Sequence, residues 1–298
     1  MTRLLTVFIT LCLSVSVASA ADTPDIKITS EIKKSGYVGE TFELVTTLVS
    51  SSPDISNVRI LQQASFPDGI KVIKGIVRNS RPSQIKEKGK ILYSWTVQRE
   101  FIIPSKSGKF NIGEARYVAF IPHEKIVYQN FWGPRRIIDY EEVQVLCPAV
   151  SFKVNVLPAA RPSDFTGCIG DFEVEAWFPP GRIQVGNEAI AIFKISGFGS
   201  LEDFKVPNLS KLFAAGCQLK EVDRNEEQSQ KEGSLYNEVT LACRFIPTEY
   251  DFSISPLCVS FFSPTQNKYY SACSDALTHT DSGTPRKQLQ ISKDAIEI

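Results

Sequence analysis

The chain has 298 residues, in which 33 lysines and arginines balance 33 aspartates and glutamates, and no block of like charge stands out. That balance excludes the electrostatic footprint of a nucleic-acid-binding protein or of one held on acidic lipid, so any partner must be selected by shape and local contacts. The length suffices for two domains of ordinary size, each with its own core.

At the N-terminus, Arg3 precedes an apolar run from Leu4 to Val17, and Ala18-Ser19-Ala20 follows it. A basic start, a short apolar core and a small-x-small ending make residues 1–20 a secretory signal peptide. The run is too short for a membrane span, which needs about 20 residues. Cys12 lies inside it rather than after a lipobox, so no lipid is expected there, and the mature protein is expected to begin at Ala21. No later segment offers an apolar run long enough for a helical span. A soluble product is expected, meeting the membrane only through partners.

The rest of the chain repeats itself at a separation near 145 residues. Val38-Gly39-Glu40 before the alternation Phe42, Leu44, Leu48 matches Val185-Gly186-Asn187-Glu188 before Ile190 and Ile192. Leu92-Tyr93 precedes Ile103-Pro104 by the interval that separates Leu235-Tyr236 from Ile246-Pro247, and Phe110-Asn111-Ile112 matches Phe252-Ser253-Ile254. Short alternating runs rich in valine, isoleucine, phenylalanine and tyrosine, broken by turn residues and lacking a helical period, predict an all-β protein of two tandem immunoglobulin-like β-sandwich domains. Pro104 and Pro247 fall at strand ends, where a missing amide donor does no harm. Trp95 and Trp177 are expected to pack in the cores. The expected layout is a first domain over 21–157, a linker over 158–170, a second domain over 171–280 and a polar tail over 281–298.

The copies diverge after Phe120, whose counterpart is Phe262. The second turns quickly through Ser263 to Lys268, whereas the first carries an insertion over 121–143 containing Tyr128, Phe131, Trp132, Arg135, Arg136 and Tyr140. Aromatics beside arginines on a long connection have the composition of interaction hot spots, which makes these residues the candidate partner-binding set. The alternative is an extended hairpin whose aromatics fold back on the sandwich, since exposed apolar clusters are uncommon on monomers.

Besides Cys12, six cysteines remain: Cys147, Cys168, Cys217, Cys243, Cys258 and Cys273. An even number in an exported chain predicts disulfides, with connectivity not fixed by sequence. Symmetry about the intervening turns pairs Cys258 with Cys273 and Cys217 with Cys243, leaving Cys147 to bridge to Cys168 across the junction. No Cys-x-x-Cys spacing is present and the only histidines are His123, beside an expected turn, and His279, so neither a metal nor another cofactor is expected. The chain also lacks a Gly-x-Ser-x-Gly, a Walker loop, a dinucleotide fingerprint and a His-Glu-x-x-His. Neighbouring acids such as Glu141-Glu142 and Glu226-Glu227 would point to opposite faces of a strand and would not converge. A non-enzymatic role is expected.

The junction carries the strongest local signature. Val156-Leu157-Pro158, then Arg161-Pro162-Ser163-Asp164-Phe165-Thr166-Gly167 and Ile169-Gly170-Asp171-Phe172, resembles the BatD family of oxygen-tolerance or aerotolerance proteins. The order of Val185-Gly186-Asn187-Glu188, Ile195-Ser196-Gly197, Gly199-Ser200-Leu201 and Ile246-Pro247 extends the resemblance over roughly Asp25 to Ala276. The resemblance implies an exported bacterial protein of the periplasm, of the kind found in Bacteroides relatives, whose genes lie beside those of von Willebrand-type membrane proteins and a MoxR-type ATPase. It implies no catalytic residues. Family members commonly continue into a C-terminal membrane helix, where this chain has the polar tail, and Cys168 stands where a small residue such as alanine is more usual. The expected function is a periplasmic protein-binding scaffold in an envelope complex with von Willebrand-type proteins. A carbohydrate- or surface-binding adhesin using the 128–140 loop is the alternative.

Overall fold

The computed structural model describes residues 24–77, 81–129, 133–214 and 216–280. The expected signal peptide and the tail over 281–298 lie outside the described residues. What is described is nineteen strands and a single 3-10 turn, Leu209–Lys211. The chain is all-β, as its alternating patterns predict.

In the first half the strands are β1 (Ile26–Ile32), β2 (Ser35–Tyr37), β3 (Phe42–Ser50), β4 (Asn57–Gln62), β5 (Ile70–Lys74), β6 (Ser83–Glu87), β7 (Lys90–Pro104), β8 (Gly108–Ile112), β9 (Ala115–Gln129), β10 (Gly133–Cys147) and β11 (Val150–Asn155). They form a sheet in the order β1-β3-β7-β5, with β6 also on β7, opposed by two smaller sheets, β10-β9-β4 and β2-β11-β8. Alternation in β3 turns Phe42, Leu44 and Leu48 inward. Phe42 and Leu44 meet Phe110, Ile112, Phe152 and Val154. Leu48 and Ile28 meet Ala115, Tyr117, Ala119 and Cys147, with Trp95 packed alongside. Two opposed layers filled by alternate side chains make a sandwich.

The second half comprises β12 (Phe165–Trp177), β13 (Ala189–Ser200), β14 (Cys217–Lys231), β15 (Ser234–Pro247), β16 (Phe252–Ile254), β17 (Cys258–Ser263), β18 (Lys268–Cys273) and β19 (Leu277–His279). Six of them run β14-β15-β13-β12-β17-β18, and β16 pairs with β19. Here β12 joins the layers, pairing antiparallel with β13 and parallel with β17. The core gathers Phe172, Phe193, Phe213, Phe245, Phe252 and Phe261 around Cys168 and Cys243.

The repeat read from sequence is a repeat of hydrogen bonds. The Gly39 amide donates to the Pro104 carbonyl at 2.8 Å, and the Gly186 amide to that of Pro247 at 2.9 Å. Ser105 donates to Gly69 and Thr248 to Gly216, both at 2.8 Å. The β6–β7 and β14–β15 hairpins turn through Lys88-Gly89 and Glu232-Gly233, all four residues at positive φ as a two-residue type I′ turn requires.

The junction is shorter than its composition suggests. A linker over 158–170 is expected, yet Phe165 already pairs with Ser260 in the second sheet. Asp164 accepts from Ser260 Oγ at 2.6 Å, and Asp171 accepts from Ser263 at 2.5 Å and Thr265 at 2.7 Å. Gly170 lies opposite Gly199, and a Cβ on Gly170 would fall 2.3 Å from the Phe198 carbonyl oxygen. The glycines therefore permit a backbone approach that no other residue fits.

Two contacts lock the halves together. Beside the junction, the Tyr37 ring meets Phe262 edge-on at 4.9 Å and its hydroxyl donates to Asn267 Oδ1 at 2.5 Å, while Tyr269 donates to the Pro158 carbonyl at 2.9 Å. Farther away, the β14–β15 hairpin lays Leu235 against Phe101 and Ile103 on the outer face of β7. Arg99 pairs with Glu43 and donates to the Gly233 carbonyl, and the Ile76 amide donates to Gln230 Oε1 at 2.6 Å. Covered on both faces, the end of β7 is buried continuously from Glu100 to Pro104.

Candidate interaction surface

The insertion after Phe120 is an extended hairpin, the form that one of its two readings gives it. β9 and β10 pair in unbroken register from Ala115↔Cys147 to Gln129↔Gly133. β4 supports only the base, where Asn57 lies opposite Phe120. Beyond Ile121↔Glu141 the hairpin continues as a two-stranded ribbon, whose eight residues per arm reach about 27 Å at ~3.4 Å per residue. In the second half Ser263↔Lys268 closes the equivalent hairpin at once.

Residues directly opposite in an antiparallel pair share a face. One face of the ribbon therefore carries Pro122, Glu124 and Ile126 on β9 with Arg136, Ile138 and Tyr140 on β10. Ile126, Ile138 and Tyr140 are 56%, 63% and 51% exposed, and Ile137 on the other face is exposed as well. The polar groups pair across the ribbon: Arg136 with Glu124 at 3.3 Å, and His123 Nε2 with Glu141 Oε2 at 2.9 Å. His123 is thus a mid-strand residue opposite Asp139, not a turn residue as its position after Ile121-Pro122 suggests. Charge is graded along β10, with Arg135 and Arg136 toward the tip and Asp139, Glu141 and Glu142 toward the base.

Of the candidate partner-binding residues, Arg136 and Tyr140 lie exposed on one face. Tyr128 and Arg135 occupy strand positions opposite Pro134 and Val127. Phe131 and Trp132 lie outside the described residues. The described side chains do not fold back on the sandwich. Reading composition rather than period missed Ile126, Ile137 and Ile138; the signal was available in Gly133-Pro134 midway between two runs of β-formers.

The cysteine pairing holds at one place of three. Cys258 and Cys273 are bonded directly opposite each other in the β17–β18 hairpin. The Cys217–Cys243 pairing is corrected: Cys217 faces Pro247, while Cys243 faces Val222 and is a free, buried thiol. Symmetry misjudges the register because the turn falls at Glu232-Gly233, at the end of the polar segment rather than at its middle, and the register shifts again between Leu219 and Glu221. The Cys147–Cys168 clamp is corrected too. Cys147 is buried in the first core, 3.2 Å from Ser30 Oγ, whereas Cys168 is buried in the second. Burial pushes the Cys168 and Cys243 thiols up to about 12, away from the thiolate that redox or nucleophilic chemistry needs.

A polar cluster inside the first sandwich could hold no substrate. Tyr117 donates to Gln98 Oε1 at 2.8 Å, Ser30 and Thr46 share a bond of 2.7 Å, and buried Glu100 lies beside them. Their cavity of about 10 Å³ has room for a water at most. Burial raises the Glu100 carboxyl and takes the Tyr117 phenol up to about 12. Among the described residues, no three His, Cys, Asp or Glu side chains converge as a metal site, and no helix is long and apolar enough to cross a membrane. Compared with known proteins, the chain matches no family model and no curated sequence.

Proposed function

We propose that the protein is a non-enzymatic, exported binding module that presents the β9–β10 ribbon to a protein partner in the cell envelope. The observation that carries this reading is the row Ile126, Ile138 and Tyr140, held exposed on a ribbon that no third strand among the described residues supports. An isolated two-stranded hairpin is marginal in water, and apolar side chains on such an arm are stabilised by what covers them. The junction's resemblance to the BatD family makes von Willebrand-type envelope proteins the first partners to seek, with the periplasm as the site of action. The two interdomain contacts support this role by giving the ribbon a rigid base.

The second half supplies the test. Replacing residues 122–140 by the turn Pro264-Thr265-Gln266-Asn267 should give a chimera of unchanged thermal stability that no longer co-purifies an envelope protein recovered with the parent. Recovery of the same partner by a folded chimera would overturn the reading.

A further inference from the structure

We propose that a second copy of this chain docks along the open edge of β10, the two ribbons pairing antiparallel about Ile138. This deepens the reading above and rests on it, since it takes the ribbon to be an interaction element. β10 ends its sheet, with β9 as its only strand partner among the described residues. A long unpaired edge is a template for another strand. The amides are available for it: the Tyr140 N–H is bonded not to β9 but to the adjacent Asp139 Oδ1, at 3.0 Å. Because backbone groups alternate along a strand, those of Arg136, Ile138, Tyr140 and Glu142 turn to the same open edge.

The sequence of this edge is complementary to itself. Arg135-Arg136-Ile137-Ile138-Asp139-Tyr140-Glu141-Glu142 is basic at one end, apolar in the middle and acidic at the other. Antiparallel pairing about Ile138 sets Ile138 against Ile138 and Arg136 against Tyr140, with Glu142 diagonal to Arg136. It also sets Arg135 against Glu141 and Ile137 against Asp139. No like charges fall opposite, whereas parallel alignment in register would stack arginine on arginine and glutamate on glutamate. In the pair the Tyr140 amide exchanges the Asp139 carboxylate for a strand carbonyl. The contact is isologous and closes as a dimer, joining two three-stranded sheets into one of six.

Sedimentation velocity on the purified mature protein, from low to high micromolar concentration, tests this with reciprocal charge reversals. The parent should dimerise, R135E/R136E and E141K/E142K should each associate about tenfold or more weakly alone, and their equimolar mixture should recover a heterodimer. Recovery in the mixture also shows that both variants are folded. A parent that stays monomeric, or variants that self-associate like the parent, would overturn the proposal. A monomer that still retains an envelope partner through its ribbon sinks the self-pairing and leaves the binding-module reading standing; a ribbon-dependent dimer without such a partner does the reverse.

Discussion

The hairpins β9–β10 and β17–β18 occupy equivalent places in the two halves and are built to opposite ends. Leu257 and Ser274, joined by backbone and side-chain hydrogen bonds, stand where the first half has Ala115 and Cys147. One residue along, on the outer face, the second hairpin has the bonded pair Cys258 and Cys273 where the first has Arg116 and Leu146. Farther along that face lie Phe262, buried against Tyr37, and its counterpart Phe120, half-buried under Arg59. The second hairpin then stops. The second is stapled, covered and short, whereas the first is unstapled, half-covered and long.

The most sensitive probe of this contrast is truncation of the matched phenylalanines. Phe262 is 0% exposed and bridges both halves, so Phe262→Ala should cost about 3–5 kcal/mol in urea unfolding, against about 1 kcal/mol for Phe120→Ala. Equal losses would mean that the first hairpin base is as tightly held as the second. Next comes the staple. Opening the Cys258–Cys273 bond, which spans a separation of 15 residues, by double serine substitution should cost about 3 kcal/mol. Conversely, R116C/L146C should close spontaneously on oxidation, seen as loss of two titratable thiols and gain of stability. Failure to close would show that the register of the two hairpins is not equivalent.

A smaller effect lies in the cores. On the inner face of β7, Gln98 and Glu100 stand where β15 has Leu241 and Cys243. Burial raises the Glu100 carboxyl in the folded protein, its leading cause, against smaller lowering effects of Gln98 and Lys74. A raised acid stabilises the fold fully below the unfolded carboxyl pKa, near 4.3, and loses that contribution as pH rises through its folded value. Glu100→Gln should therefore melt higher than the parent at neutral pH, with the gap closing toward pH ~4. A constant gap would assign the effect to packing instead.

Much of the fold was legible because each half repeats a few strongly patterned segments. β15 alternates strictly between half-buried and buried, so its period is visible in isolation. β7 is harder to read, because Phe101 and Ile103 are buried by Leu235 of the other half, and that covering is a tertiary fact. The Cys217–Cys243 pairing failed because symmetry locates partners only when the turn lies midway between them, as it does between Cys258 and Cys273, and the Cys147–Cys168 pairing failed because elimination takes every cysteine to be bonded. At the candidate surface, Tyr140 and Arg136 were recognisable by type, but the isoleucines alternating with them act only once the strand is known. The junction motif was visible as a signature, and its meaning turned out to be packing through Asp164, Gly170 and Asp171.

Amide hydrogen exchange tests the central contrast most directly. In dilute purified protein, the β10 amides from Arg135 to Tyr140 should exchange far faster than those of β17 and β18, and should slow markedly when a second copy or an envelope partner is bound. Protection of the ribbon equal to that of the β17–β18 hairpin, in dilute protein without any partner, would contradict the account.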